Sequence, residues 1–165
     1  MPVKTWRLAL LGWLLLHLPA AQALCVGPLC SCTFSTGNVV FGSFNPIAIG
    51  SSDSTGSVRI SCGGTVGLLI PYQVELGPGG SGNTSARRMS SGANVIGYGL
   101  YSDSSRLSNW GDIAHGTAVS NFMLLDALGL APALTHTIYG RIPSGQNTAV
   151  PGAYVDSITV TVTYY

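Results

Sequence analysis

The last residues of the chain alternate strictly between the two faces of an extended segment. From residue 158 onward, three threonines and a tyrosine lie on one face, and the other face holds Ile158, Val160, Val162 and Tyr164. Because side chains alternate along a strand and β-branched residues favour strands, this pattern predicts a β-strand with one face in a core. No further strand follows in the sequence, so we expect the edge of this strand to need cover from elsewhere.

Shorter runs of the same kind recur along the chain, separated by Gly, Ser, Asn and Pro. They predict strands over 32–36, 38–44, 56–62, 66–76, 94–101, 117–125 and 134–142, and a loop over 102–116 that carries Trp110. No stretch has a convincing helical period. Many short strands with regular turn signals predict an all-β fold, a sandwich of antiparallel sheets.

The first 23 residues have the pattern of a secretory signal peptide. Lys4 and Arg7 precede an apolar run over 8–18, and the Ala-Gln-Ala sequence at 21–23 forms a small-x-small cleavage site. The apolar run is shorter than the roughly 20 residues that a membrane span needs. Cleavage would leave a short segment over 24–31, followed by one domain over 32–165.

The mature chain carries little charge. Residues 24–165 contain five arginines, no lysine and six acidic residues, a balance of −1. This argues against binding to nucleic acid or to anionic membranes, and it suits part of an assembly better than a free monomer. Motifs of serine or zinc hydrolases are absent from the sequence, so we expect no enzyme, no cofactor and no metal site. We expect His115 to lie in a turn and His136 on the surface of a strand.

The four cysteines, Cys25, Cys30, Cys32 and Cys62, all follow the signal peptide. Because export leads to an oxidising compartment, we expect disulfides, and the three possible pairings stay open. A bridge between Cys25 and Cys30 would have a geometric consequence. Five extended steps span about 16 Å, whereas bridged Cα atoms lie within about 7 Å, so the N-terminal segment would be a closed loop.

The most apolar part of the mature chain is residues 119–134. One interpretation is a core strand followed by a packed loop. The other is an exposed tip that adheres to surfaces through Phe122, Met123, Leu124, Leu125, Leu128 and Leu130.

A set of landmarks runs in order through the mature chain. It comprises Cys32-Thr33, Phe41-Gly-Ser-Phe-Asn-Pro46, Gly56-x-Val-x-Ile-x-Cys62, Tyr72-x-Val-x-Leu76, Arg88-Met89, Tyr98-x-Leu-Tyr-x-Asp103, Trp110-Gly111, Tyr139-Gly-Arg-Ile-Pro143 and Pro151-Gly-Ala-Tyr-Val-Asp156. Together they resemble the spore coat protein U domain, the pilin domain of archaic (Csu-type) chaperone–usher pili.

The resemblance implies an immunoglobulin-like, Greek-key sandwich that lacks its final strand and so has a hydrophobic groove. In such pili a periplasmic chaperone lends a strand. At the outer-membrane usher this strand is exchanged for the N-terminal extension of the next subunit, and the pilus reaches the cell surface. The family's cysteine pair maps onto Cys32 and Cys62, and the lining of the groove maps onto Ile158, Val160, Val162 and Tyr164. The family has no catalytic residues.

The segment 24–31 is short for a donor strand and contains a Gly-Pro pair. We therefore expect a subunit that accepts a strand without donating one, and that caps the pilus end. The apolar stretch over 119–134 would suit a tip subunit that acts in adhesion and biofilm formation. The alternatives are a free-standing secreted sandwich that binds a ligand through its loops and, third, a secreted hydrolase.

Overall fold

The computed structural model describes residues 30–64, 69–115, 117–124 and 132–164. Within these ranges it contains eight strands: β1 Cys30–Gly37, β2 Ser52–Gly64, β3 Leu69–Leu76, β4 Arg87–Ser91, β5 Asn94–Tyr101, β6 Val119–Leu124, β7 Leu134–Ile142 and β8 Val160–Tyr164. A short 3₁₀ turn, Gly79–Ser81, lies between β3 and β4. No helix in the described ranges is long and apolar enough to cross a membrane.

The strands form two antiparallel sheets. One has five strands in the order β1-β2-β7-β5-β4, and the other has three in the order β6-β3-β8. The chain passes from one sheet to the other after β2, β3, β5, β6 and β7, so most neighbouring strands are not consecutive in sequence. The prediction of an all-β, antiparallel sandwich is confirmed.

The core lies between the sheets and consists of alternate residues of the facing strands. Ile70, Tyr72, Val74 and Leu76 of β3 are buried, and the residues between them are partly exposed. Trp110, in the loop after β5, is also buried, and its Nε1 donates a hydrogen bond to the Val74 carbonyl at 3.0 Å. Period-two alternation therefore decides which side chains enter the core.

A disulfide joins β1 to β2. Cys32 lies directly opposite Cys62 in the register of the two strands, with 4.0 Å between their Cα atoms. The signal peptide, the segment before β1 and Cys25 lie outside the described residues, as does the side chain of Cys30. The predicted loop between Cys25 and Cys30 thus stays a prediction.

The strand predicted over 38–44 is wrong. After β1 the chain turns onto the inner face of the five-stranded sheet, where Val39 and Phe41 lie over Gly56 of β2 and Gly140 of β7. A Cβ atom at Gly140 would lie 2.6 Å from Val39 Cγ1 and 2.9 Å from Phe41 Cζ. The two glycines leave space that this segment fills, so side-chain packing fixes it without backbone pairing.

The expected surface position of His136 is also wrong. This residue has the same phase in β7 as Leu134 and the buried Ile138, so it points between the sheets. Its Nε2 atom lies 2.6 Å from the Tyr72 hydroxyl, and its ring packs edge-on against Trp110 with 6.1 Å between centroids. His136 therefore links β7 of one sheet to β3 of the other.

Candidate functional site

Strand β8 has only one neighbour among the described residues. It pairs with β3 from Leu76↔Val160 to Tyr72↔Tyr164, and its opposite edge pairs with no described strand. A free edge presents unpaired backbone N–H and C=O groups. The edge of β8 therefore presents such groups to no described strand.

A cavity of about 1020 Å³ lies between the two sheets beside this edge. It is termed the groove below. Ile158 and Val160 line it on the β8 side, and residues 36–44 line it on the other. Its floor consists of side chains from both sheets, including Leu76, Ile96, Tyr98, Leu100, Ile138 and Ile142. The groove is thus an apolar space that the described chain leaves unfilled.

The wall opposite β8 also lacks backbone partners. Among the described residues, no backbone–backbone hydrogen bond involves residues 38–44. The Val40 carbonyl accepts a hydrogen bond from the Ser54 hydroxyl at 2.6 Å. Both long walls of the groove therefore carry backbone groups that an extended segment between them could pair with.

One end of the groove is held by the residues that lead into β8. Val155 forms a two-way backbone bridge with Ser90 of β4, at 2.9 and 3.0 Å. The next residue, Asp156, accepts hydrogen bonds from the Tyr98 hydroxyl at 2.7 Å and from the Gly80 N–H at 2.9 Å. Burial raises the pKa of Tyr98, and the bond to the Asp156 carboxylate raises it further, so the hydroxyl stays protonated and donates.

Behind the groove, the guanidinium of Arg87 is buried and bonds to no carboxylate of the described residues. It donates to four backbone carbonyls, with distances of 2.7 Å to Leu76, 3.0 Å to Gly77, 2.8 Å to Thr84 and 2.8 Å to Trp110. Burial lowers the pKa of Arg87, but an arginine stays charged in proteins. This side chain connects the end of β3 to the loop before β4 and to the loop after β5.

A family model for the Spore Coat Protein U domain matches residues 21–161, a range that includes every residue lining the groove. The chain belongs to the Spore Coat Protein U domain family. One relative of this chain is Protein U of Myxococcus xanthus. It is 34% identical over 155 residues, which cover 84% of this chain and 79% of that protein.

A solved structure shares the fold of this spore coat protein U domain. It is a chain in the crystal structure of the CsuC–CsuE chaperone–tip adhesion subunit pre-assembly complex of Acinetobacter baumannii. The TM-score is 0.53 at 24% sequence identity, over 81% of this chain and 39% of that chain. This chain therefore spans well under half of the solved one. The likeness concerns the fold, an immunoglobulin-like sandwich.

The four residues predicted to line a partner-strand groove take different positions in this spore coat protein U domain. Ile158 and Val160 line the groove and are half-buried. Val162 is half-buried and packs against the core. Tyr164 is 41% exposed at the far end of β8. The apolar side chains Ile158, Val160 and Val162 thus face inward, as their alternation predicts. A role for these residues in binding a strand is a proposal.

The predicted adhesive stretch divides between surface and core. Phe122 and Leu124 of β6 are 58% and 53% exposed, and Leu124 lies opposite the exposed Leu69 of β3. Met123 is 5% exposed and belongs to the core, so its inclusion in an exposed surface is wrong, because alternation turns it inward. Leu125, Leu128 and Leu130 lie outside the described residues.

The sequence analysis assigns no role to Arg87, which lies behind the groove, or to Asp156, which lines it. Arg87 lies two residues before Met89, so both side chains lie on the inward face of β4. This alternation is the sequence signal that indicates the burial of Arg87. Asp156 lies in one of the family landmarks, but its partners Tyr98 and Gly80 are distant in sequence. Within the described ranges, no three His, Cys, Asp or Glu side chains come together as a metal site.

Proposed function

We propose that this chain is a structural subunit of a cell-surface pilus of the chaperone–usher type, and that its groove accepts a β-strand from another protein. The observation that carries the proposal is the free edge of β8 alongside an unfilled apolar groove. Strand addition needs these two features together. Backbone hydrogen bonds to the edge supply affinity, and side chains that fill the groove supply specificity.

An inserted strand would lie between β8 and residues 38–44. Its backbone could pair with both walls, because neither wall has a described partner on its groove side. Alternate side chains of the strand would enter the apolar floor. Each buried valine contributes roughly 1.5 kcal/mol or more, and each hydrogen bond contributes about 1 kcal/mol.

The proposed partners follow from this mode of binding. A periplasmic chaperone would occupy the groove first, and a neighbouring pilus subunit would replace it at an outer-membrane usher. Family membership and the fold shared with a chain of a chaperone–subunit complex support this assignment. The signal peptide pattern supports export to the periplasm and then to the cell surface.

The proposal is tested by supplying the missing strand within the chain. Tyr165 is replaced by an Asn-Gly turn followed by a nine-residue donor of alternating Val and Thr, so that the donor folds back beside β8 with its first residue opposite Tyr164. Ordering the donor costs about 1–2 kcal/mol per residue, and burial and pairing exceed this cost. We expect the free energy of unfolding in urea to rise by on the order of 3 kcal/mol.

A matched control carries the same nine residues in a non-alternating order (Val-Val-Thr-Thr). The free energy of unfolding of this control should rise by less than about 1 kcal/mol, because a strand without strict alternation cannot direct all its valines into the groove. Equal stability of the unmodified chain, the donor fusion and the control would show that the groove does not accept a strand. A chain that is already complete would behave in this way.

We further propose that the subunit lies at the end of the pilus and contacts surfaces, with a role in adhesion and biofilm formation. The exposed Phe122 and Leu124 beside Leu69 support an apolar contact area. In the donor fusion, the double change Phe122→Ser and Leu124→Ser should lower adsorption to polystyrene beads severalfold. Val95→Ser and Ile113→Ser, which remove exposed apolar side chains elsewhere, serve as the control. Equal losses in both pairs would contradict a specific contact area.

A further inference from the structure

Among the described residues that line the groove, Asp156 is the only charged one. Every other lining side chain in the described chain is apolar or neutral, and the floor is mostly aliphatic. A carboxylate in such surroundings is costly unless its oxygens are paired, so its position requires a physical explanation.

The hydrogen bonds of this carboxylate are nearly complete. Oδ1 accepts from the N–H groups of Gly80 and Ser157, each at 2.9 Å, and Oδ2 accepts from the Tyr98 hydroxyl at 2.7 Å. A carboxylate has about four acceptor positions. Among the described residues, one position on Oδ2 therefore has no donor.

The surroundings hold the carboxylate itself in one place. Gly79, at φ +64°, packs directly against the carboxylate and leaves no room for a side chain. Val155 is bonded to Ser90 of β4, so the residues before β8 cannot shift along the groove. The carboxylate thus marks a fixed end of the groove, at the start of the residues that lead into β8.

We propose that Asp156 is a specificity-determining residue, which selects the residue of the incoming strand that reaches this end of the groove; the inference rests on the proposed function. A hydroxyl or an ammonium group there would donate to the open acceptor. A carboxylate there would repel Asp156 at short range in a partly buried site. The preferred partner is therefore a strand with apolar alternate residues and a Ser, Thr or Lys at this end.

The preference of Asp156 for one incoming residue over another is limited, because the positive charge of Arg87 lies close enough to offset part of the negative charge of Asp156. The positive charge of the buried Arg87 interacts favourably with the Asp156 carboxylate. Its N–H groups are directed at four carbonyls, so it does not occupy the open acceptor. We therefore expect discrimination of about tenfold between an incoming Lys and an incoming Glu, as for a partly screened pair.

The donor fusion described above gives a defined geometry for the test. The donor runs antiparallel to β8, so its first residue lies opposite Tyr164 and its ninth lies opposite Asp156 with its side chain on the groove side. Three fusions carry Ser, Lys or Glu as the ninth residue. The unfolding equilibrium constant in urea should be about tenfold larger for Glu than for Lys, with Ser between them.

Three comparisons make the result specific. The same exchange of Lys for Glu at the second donor residue, opposite Thr163, should change the constant less than twofold. In Asp156→Asn, the preference at the ninth residue should fall below about twofold. In Tyr98→Phe, which frees a further acceptor, the preference for Lys should persist or increase. This last variant keeps the test valid if Asp156→Asn does not fold.

The outcomes separate the two proposals. If none of the three fusions is more stable than the non-alternating control, strand acceptance itself is wrong. If all three are stabilised equally, strand acceptance stands and the role of Asp156 is wrong. A preference that survives in Asp156→Asn, or that equals the preference at the second donor residue, also overturns it.

Discussion

Replacing Arg87 provides a sharp test of how the scaffold behind the groove is held together. Arg87→Met keeps the length and apolar stem of the side chain and removes the guanidinium. Four carbonyls then lose the guanidinium as a donor, those of Leu76, Gly77, Thr84 and Trp110. Because Leu76 and Trp110 are buried, water has little access to at least two of these oxygens.

The size of the loss follows from two opposing effects. A buried polar group without a partner costs about 1–3 kcal/mol, and up to four such groups are created. Methionine also removes the cost of burying a charge, which is several kcal/mol on its own. We expect a net loss of about 3–5 kcal/mol, because the cost of several unpaired carbonyls exceeds the relief of the buried charge. Arg87→Lys keeps the charge but loses the planar fork, and should lose roughly 2 kcal/mol.

The measurement is urea unfolding of the donor fusion, so that an empty groove does not limit stability. Trp110 reports the transition, because it is the only tryptophan after the signal peptide and its carbonyl is bound by Arg87. The control is Arg88→Met in the next position, where the side chain is exposed, and its effect should stay within about 0.5 kcal/mol. If Arg87→Met also stays within this limit, water satisfies the four carbonyls and the guanidinium is dispensable.

Three further predictions concern the scaffold. Replacing Cys32 and Cys62 with alanine removes a bridge across 30 residues, and should cost about 3–4 kcal/mol in urea unfolding under oxidising conditions. Gly56→Ala would place a Cβ 2.6 Å from the Gly37 carbonyl oxygen and should cost roughly 1–3 kcal/mol. Gly63→Ala in the same strand meets no atom within 4 Å and should be neutral in that assay. Burial lowers the pKa of His136 below its usual value, so the unfolded chain binds more protons. Stability should be complete above about pH 6.5 and decline as the pH falls toward the folded pKa, and His136→Gln should flatten this profile.

The strands that the sequence predicts best are those with one face in the core. The predicted bounds of β5 and β7, Asn94–Tyr101 and Leu134–Ile142, are those of the structure, because apolar residues alternate through each strand. The same rule, applied to β7, would have turned His136 inward. Its polarity suggested the surface, since its partners Tyr72 and Trp110 come from other parts of the chain.

Two parts of the fold, residues 38–44 and strand β4, cannot be predicted from the local sequence pattern, and each has a physical reason. Residues 38–44 have strand-like alternation, but their position depends on the glycines of β2 and β7, which are not neighbours in sequence. Strand β4 went unpredicted because its inward residue Arg87 is charged, and a charge normally indicates the surface. The four carbonyls around the guanidinium make its burial acceptable, and they come from three separate loops or strand ends.

The contacts that hold the two walls of the groove leave free the backbone groups that a new strand would need. Residues 38–44 are held by Val39 and Phe41, which pack on the glycines beneath them. The start of β8 is held by Val155 and Asp156, before the free edge begins. Residues 38–44 are thus held by side-chain packing, and β8 is held by residues that precede its free edge. Because the walls are already ordered, they lose little conformational entropy when a strand binds. More of the free energy of strand pairing therefore contributes to affinity.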